Sequence, residues 1–329
     1  MNVLIIGYGS VGKRHAKNMA ILGITCFVIE PNITRLYEAN NEGYMGYSSL
    51  DKVDCTQEFD AVLVCSPPAY HIEQTIWALK LGKKVFLEKP IGINFEQCKS
   101  LLKYDHDKVF IGYTYRWNPQ FIKLKNDIEI GVIGKPHYAN FVVGMNLEDW
   151  HPWENYQDFF MSSLELGGGA LLDESHFIEL VIDLFGLPEK ITSIQSKISS
   201  LEIETDDYVF AQFQYKNLVV DINLDLFKRP HESYVQIYGK SGSINCDFIK
   251  KVNVSTNYKL CTNSAPSLYQ FDYERNDLFV NMIKDFIHFV GSDSEPARVP
   301  ISRGLDVMLV IDKIREASQV RNWVQIETL

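Results

Sequence analysis

The stretch Val3-Leu4-Ile5-Ile6-Gly7-Tyr8-Gly9-Ser10-Val11-Gly12 decides the reading of the first third of the chain. Its four apolar residues read as a short buried strand, and helix spacing takes over from Val11 to Leu22. Between them lies Gly-x-Gly-x-x-Gly. Gly7 permits a tight turn, Gly9 lets backbone approach a pyrophosphate, and Gly12 lets helix and strand pack closely. The helix start then presents free N–H groups and the positive end of its dipole to phosphate. Glu30 follows a second strand, Thr25–Ile29, 18 residues after Gly12, where a carboxylate binds adenosine ribose hydroxyls. A tight turn with a solvent-facing Glu is the plain alternative. Together these residues point to a dinucleotide. Glu30 repels a 2′-phosphate, which favours NAD over NADP, although Arg35 works against that preference. Lys13, Arg14 and His15 crowd cations at the helix start, which the dipole disfavours unless an anion is bound. A solvated face is the alternative for these three.

Moving outward, Ala61–Cys65, Lys84–Leu87 and Val109–Tyr113 read as buried strands, with helices at Ile72–Leu81 and Phe95–Leu102. Strands alternating with helices predict a doubly wound parallel sheet of the α/β class, with right-handed crossovers. The pattern changes after Arg116. Pro136–Met145, Ile191–Lys197, Tyr208–Tyr215, Leu218–Phe227, Tyr234–Tyr238 and Ser243–Phe248 read as strands joined by short turns. Val220, Ile222, Leu224 and Leu226 alternate with Asp221, Asn223 and Asp225, which marks a half-buried strand. Helices are expected at Ala170–Phe185, Asp277–Val290 and Arg303–Ser318, the last with Ser302 as N-cap. This predicts two domains, 1–117 with the parallel sheet and 118–329 of α+β type with an open, mostly antiparallel sheet.

Composition bounds the function. The chain has 329 residues, enough for two domains, with 46% hydrophobic and 22% charged residues, values typical of globular proteins. Its net charge of −10 and lack of a basic tract speak against nucleic acid. Residues 1–117 carry a net +1 and residues 118–329 a net −11. No apolar run is long enough to span a membrane, and the start lacks the basic region of a signal peptide. The six cysteines, Cys26, Cys55, Cys65, Cys98, Cys246 and Cys261, include no CxxC pair. Reduced thiols in a cytoplasmic protein are expected, with Cys65 as the one candidate for reactivity. The eight histidines are scattered without HExxH, so no metal is expected.

Glu88-Lys89-Pro90 follows the strand Lys84–Leu87, so Lys89 stands at the carboxyl edge where open α/β sheets bind ligands. A surface lysine is the alternative. Further landmarks are Ser66-Pro67-Pro68-Ala69-Tyr70-His71, Gly112-Tyr113-Thr114-Tyr115-Arg116-Trp117-Asn118-Pro119, and the run Gly167-Gly168-Gly169 leading through Ala170-Leu171-Leu172-Asp173-Glu174-Ser175 to His176.

In order and across the whole chain, these landmarks resemble the Gfo/Idh/MocA oxidoreductases, mostly NAD(P)-dependent dehydrogenases of sugars, sugar nucleotides and inositols. The resemblance implies an N-terminal Rossmann domain and a C-terminal sheet that commonly forms a dimer or tetramer interface. It implies cofactor contacts along Gly7, Tyr8, Gly9, Ser10, Val11 and Gly12, at Glu30, at Ser66, Pro67 and His71, at Glu88 and Lys89, and at Arg116. It makes Lys89 a ligand of the substrate hydroxyl and His176 the general acid/base. Asp173 falls three residues before His176, one fewer than the common family spacing, and shares its face on a continuous helix. Trp150-His151-Pro152-Trp153-Glu154-Asn155-Tyr156 resembles a loop of a subset associated with bacterial surface sugars. Trp150, Trp153 and Tyr156 offer rings to stack on a sugar and His151 a hydroxyl ligand, although an apolar staple would have the same composition.

Alcohol oxidation moves a hydride from carbon and a proton from oxygen. A nicotinamide takes the first; neutral His176 suits the second, with Lys89 stabilising the alkoxide. The expected activity is hydride transfer at a secondary alcohol of a sugar, sugar nucleotide or cyclic polyol. Two other readings share the fold: an NAD-dependent glycosidase that recycles its cofactor, and an NAD-binding regulatory protein without turnover.

Overall fold

The computed structural model describes residues 1–53, 58–150, 152, 154–249, 258–262, 265–292 and 294–327. In chain order the first elements are β1 (Asn2–Ile6), α1 (Ser10–Ile21), β2 (Thr25–Ile29), α2 (Ile33–Asn41), β3 (Met45–Tyr47), β4 (Ala61–Val64), α3 (His71–Lys80), β5 (Lys84–Leu87), α4 (Phe95–Lys99) and β6 (Val109–Ile111). There follow α5 (Pro119–Glu129), β7 (Pro136–Gly144), α6 (Leu147–Trp150), α7 (Ala170–Asp173), α8 (Ser175–Phe185), β8 (Lys190–Ser196), β9 (Tyr208–Gln214) and β10 (Val219–Asp225). The last are β11 (Glu232–Gly239), β12 (Gly242–Asp247), β13 (Tyr258–Cys261), β14 (Ser267–Tyr269), α9 (Arg275–Gly291), α10 (Ile301–Val320) and β15 (Val324–Gln325). They divide into two compact units, one of Met1–Thr114 with Arg275–Met308, the other of Tyr115–Glu274 with Leu309–Leu329.

In the first unit six parallel strands run in the order β3-β2-β1-β4-β5-β6. The reversal of order at β1 opens a crevice beyond the strand ends, where β1, β4 and β5 deliver their following turns. Val3, Leu4 and Ile5 have no exposed surface, as expected for strands covered on both faces. A split at 117 would assign Arg275–Met308 to the second domain; its contacts place it here. Ile111 N donates to Val299 O at 3.1 Å. Phe286 of α9 packs on Phe86 and Phe110 with centroids 5.4 and 5.7 Å apart. Asn18 of α1 and Asn276 of α9 exchange amide hydrogen bonds.

In the second unit a mixed, mostly antiparallel sheet runs β14-β13-β12-β11-β7-β10-β9-β8-β15, with β7 and β10 the parallel pair. One face is buried, with Ala139, Phe141, Val209, Ala211, Phe213, Val220, Ile222, Val235 and Ile237 all fully covered. The opposite face carries the polar and aromatic members of the same alternation. There Tyr138 donates to Asp221 at 2.8 Å and stacks with Tyr238 at 6.1 Å.

Several boundaries differ from expectation. Asn32 and Asn118 accept from backbone N–H groups of Arg35 and of Gln120 and Phe121, and so start α2 and α5, which hydrophobic spacing did not reveal. Pro119 at the first position of α5 completes that start. The final helix begins at Ile301, so Ser302 lies inside it rather than capping it. The helix expected over Ala170–Phe185 is two helices, because Glu174 adopts φ −89° and ψ 19° between them.

Candidate functional site

The glycine turn is built as its sequence demands. Gly7 has φ 98°, a left-handed conformation that favours glycine. A Cβ at Gly12 would lie 2.0 Å from the Gly7 carbonyl oxygen, whereas nothing lies within 4 Å of the corresponding point at Gly9. α1 starts at Ser10 and Val11 with neither a capping side chain nor an acidic residue in its first turn. Its end N–H groups therefore face the open side of Gly9, a setting that suits a pyrophosphate. Glu30 is buried, and its two oxygens accept from Tyr8 N at 2.7 Å and Asn32 N at 2.9 Å. Backbone donors thus pin the carboxylate against the glycine turn. These features fit a dinucleotide, held by Gly7–Gly12 with Glu30 at the ribose.

Tyr8 turns its side chain into the core, where its hydroxyl donates to Glu42 at 2.9 Å. Burial and that carboxylate push its phenol well above the usual tyrosine range. The cations after Gly12 have internal partners. Lys13 pairs with Glu38, Arg14 lies 4.6 Å from the Phe279 ring centre, and His15 Nε2 lies 2.7 Å from Glu88 Oε1. His15 has no exposed surface, which excludes the solvated face for that residue.

The next two turns come off β4 and β5. Ser66 donates its hydroxyl to Gln74 Oε1 at 2.6 Å, and Pro67 precedes the short turn Pro68–Tyr70. His71, 1% exposed, places Nδ1 2.7 Å from Pro90 O and Nε2 2.7 Å from Ser66 O. Burial lowers its pKa, against the opposing influence of the two carbonyls and Glu88, while Lys89 adds to the lowering. Glu88 is also buried, and its Oε2 accepts from Lys89 N at 3.2 Å. The Lys89–Pro90 peptide is cis, and Lys89 is half-buried. Burial, with Glu88 nearby, raises the Cys65 thiol well above its usual value, which makes it a poor nucleophile.

In the second unit Asp173 ends α7 and His176 lies in the first turn of α8. The break at Glu174 removes the continuous helix on which their shared face was argued. Asp173 is buried and His176 half-buried. The Tyr115 ring meets the His176 imidazole edge-on at 5.3 Å, and it also packs on Phe177 and Phe248. Tyr115 lies in the Gly112–Pro119 landmark, but nothing in the sequence assigned it a role of its own. The Gly167–Gly169 run serves packing: a Cβ at Gly168 would stand 2.3 Å from Met161 O.

Arg116 places its guanidinium against α8, with Nε 3.7 Å from Glu179 Oε1 and Nη1 paired with Asp183. Trp150 ends α6 and is half-buried, and the Tyr156 hydroxyl accepts from Glu202 N at 3.2 Å. His151 and Trp153 lie outside the described residues. Beside Trp150, Arg229 pairs with Glu148 and Asp149, each at 2.7 Å. Among the described residues no group of three His, Cys, Asp or Glu side chains is placed to hold a metal ion, and no helix is long and apolar enough to cross a membrane.

A parallel sheet with an uncapped glycine turn and a buried carboxylate pinned beside it defines a dinucleotide-binding protein. Two family descriptions match: "Oxidoreductase family, NAD-binding Rossmann fold" over residues 1–110, and "Oxidoreductase family, C-terminal alpha/beta domain" over residues 125–326. The chain belongs to this Gfo/Idh/MocA family of NAD-dependent oxidoreductases. It is 25% identical over 312 residues to a myo-inositol 2-dehydrogenase of Thermotoga maritima, covering 90% of each chain. Its fold is similar to that of levoglucosan dehydrogenase in complex with NADH, with a TM-score of 0.87, 18% identity and all of both chains covered. It is also similar to the WlbA dehydrogenase of Bordetella pertussis in complex with NADH and UDP-GlcNAcA, with a TM-score of 0.80, 20% identity and 100% and 99% of the chains covered.

Proposed function

We propose that the protein transfers a hydride between NAD and a secondary alcohol of a cyclic polyol, sugar or sugar nucleotide. The single observation that carries this reading is Lys89 at the carboxyl edge of the parallel sheet. It stands on a turn whose neighbouring groups are all held by buried partners. When bound, NAD supplies the hydride acceptor. Gly7–Gly12 and Glu30 hold its pyrophosphate and ribose, and Ser66, Pro67, His71 and Glu88 shape the turns beside it. Lys89 donates to the substrate oxygen and stabilises the charge that develops there. His176 takes the hydroxyl proton as a base, its ring oriented by Tyr115.

Trp150 and Tyr156 provide aromatic faces for a sugar ring. The resemblance of their loop to that of surface-sugar enzymes supports a place in bacterial surface-sugar metabolism. The polar and aromatic face of the second sheet, with Tyr138, Asp221 and Tyr238, supports association into a homodimer or homotetramer. The test is a panel of inositols, hexoses, uronic acids and nucleotide sugars with NAD and NADP, followed at 340 nm. Substrate-dependent NADH release in stoichiometric amounts is expected. Tight NAD binding with no turnover on any polyol would leave a regulatory protein instead.

A further inference from the structure

We propose that His15 and His71 are positioning residues that together fix Lys89 from both sides; the proposal rests on the role given to Lys89 above. Lys89 has two chain neighbours, and a buried imidazole holds each. On the N-terminal side, His15 Nε2 meets the Glu88 carboxylate at 2.7 Å, and the second oxygen of that carboxylate accepts from Lys89's own N–H at 3.2 Å. On the C-terminal side, His71 Nδ1 meets the Pro90 carbonyl at 2.7 Å, and its Nε2 meets the Ser66 carbonyl at the same distance. Neither ring touches solvent to any extent: His15 is 0% and His71 1% exposed.

The origins of the two rings matter as much as their targets. His15 belongs to α1, the helix whose start faces the pyrophosphate, and His71 opens α3, directly after the turn at Ser66 and Pro67. Both therefore connect Lys89 to segments that contact the dinucleotide. Aromatic neighbours keep the His15 ring in place, Phe86 meeting it edge-on at 5.0 Å and Phe279 tilted against it at 5.9 Å. A lysine has four rotatable side-chain bonds and a poor intrinsic hold on its direction. Fixing the backbone on both sides leaves only the side chain to order when substrate arrives. Misplacing a reacting group by about an ångström costs about a hundredfold in rate, so the loss of either tie should appear in kcat.

The experiment compares His15→Ala, His15→Gln and His71→Gln with the unmodified protein, each assayed well below its own melting temperature. A glutamine at 15 offers an N–H to Glu88, whereas a glutamine at 71 lacks the rigid ring that fills the space between the Pro90 and Ser66 carbonyls and donates its one ring N–H there. The expected result is a kcat lowered at least about tenfold in His15→Ala and His71→Gln, with the KM for NAD within about threefold. His15→Gln should recover to within about threefold of the starting kcat. In parallel, the rate of Lys89 modification by an amine-selective reagent, read by peptide mass without substrate, should change in His15→Ala and His71→Gln. Unchanged kcat per folded molecule, unchanged Lys89 labelling, or a loss confined to the KM for NAD would each overturn the proposal. If the unmodified protein oxidises no polyol at all, the functional reading fails, and the labelling rates alone decide the role of the histidines.

Discussion

His15 and Glu88 meet at 2.7 Å between the helix of the glycine turn and the turn that carries Lys89. The pair is buried, with side-chain exposures of 0% and 10%. It gives a physical reason for a histidine three residues after Gly12, a position that would otherwise place a polar ring in the core. Pairing satisfies the carboxylate, and the carboxylate in turn offers the Lys89 N–H a partner. The glycine turn and the Glu-Lys-Pro turn, read as separate motifs in the sequence, are thus parts of one hydrogen-bonded arrangement.

Gly12→Ala should disrupt this arrangement at its base. The added methyl would lie 2.0 Å from a backbone carbonyl, that of Gly7, which cannot rotate away as a side chain can. Overpacking of a rigid site costs ~1–3 kcal/mol or more. Urea unfolding should show a loss in at least that range, and NADH fluorescence should show weakened binding in the fraction that remains folded. Native stability and affinity together would contradict the close packing of α1 on β1.

Glu30 is proposed to set the dinucleotide preference. Glu30→Ala removes the negative charge beside the ribose and leaves Tyr8 N and Asn32 N without their acceptor. The kcat/KM for NAD should fall about tenfold or more, and the ratio of NADP to NAD efficiency should rise, since an interaction of ~1.4 kcal/mol corresponds to a factor of ten. Steady-state kinetics with both cofactors check this. An unchanged ratio would mean that the carboxylate acts only within the turn.

Lys89→Ala and His176→Ala address the chemistry. Neither residue belongs to the glycine turn, so His176→Ala should keep NAD affinity, and Lys89→Ala, which also removes one expected cofactor contact, should keep most of it through Gly7–Gly12 and Glu30. Each should lose about 10²–10⁴ in turnover, the range associated with a positioned acid/base or a charge-stabilising donor. Stopped assays on the best substrate of the polyol panel measure this, with NADH binding as the control. Turnover within a few fold of the starting enzyme in either variant would remove that residue from the mechanism.

His71 predicts a pH effect on stability. Burial lowers its pKa in the folded chain, whereas the unfolded chain has an ordinary imidazole near ~6.5. The unfolded state then binds the proton more readily. The contribution of His71 is fully present above ~6.5 and is lost as pH falls toward its lower folded value. Melting temperatures measured across this window should fall with acid, and the fall should be shallower in His71→Gln. Parallel curves for the two proteins would show that His71 does not titrate as proposed.

The parallel sheet was legible because strand and helix periods alternate through most of the first 113 residues, α2 and the short β3 excepted, and because the glycine turn has steric demands that few other sequences meet. The second sheet was legible where alternation was strict, as in Val219–Asp225, and not where strands were short, as in Ser267–Tyr269. The return of Arg275–Met308 to the first unit left no local trace. It depends on Val299 meeting Ile111 and on phenylalanines packing over nearly two hundred residues of separation. At the site, residue types and order were readable, but partners were not. The sequence shows His15, Glu88 and His71, and nothing in their spacing shows that two imidazoles close on the neighbours of one lysine. The break at Glu174 escaped for a similar reason, since Glu is a good helix former and only the backbone reveals the turn there.

Arg116 was read as a cofactor contact, and its surroundings predict a structural consequence as well. Its guanidinium, 13% exposed, pairs with Glu179 and Asp183, whose side chains are 0% and 3% exposed. Lys125 also reaches Asp183 at 3.0 Å, but Glu179 lies one turn closer to His176 on α8. Arg116→Ala would remove positive charge from two buried carboxylates, and breaking a buried pair in this way costs ~3–5 kcal/mol. Arg116→Lys should recover part of that loss, because a lysine supplies the charge without the planar fork. Denaturant melts of the two variants separate the outcomes. A stability loss in Arg116→Ala with NAD affinity intact assigns Arg116 to the support of the His176 helix, whereas a loss of NAD affinity at native stability restores it to the cofactor.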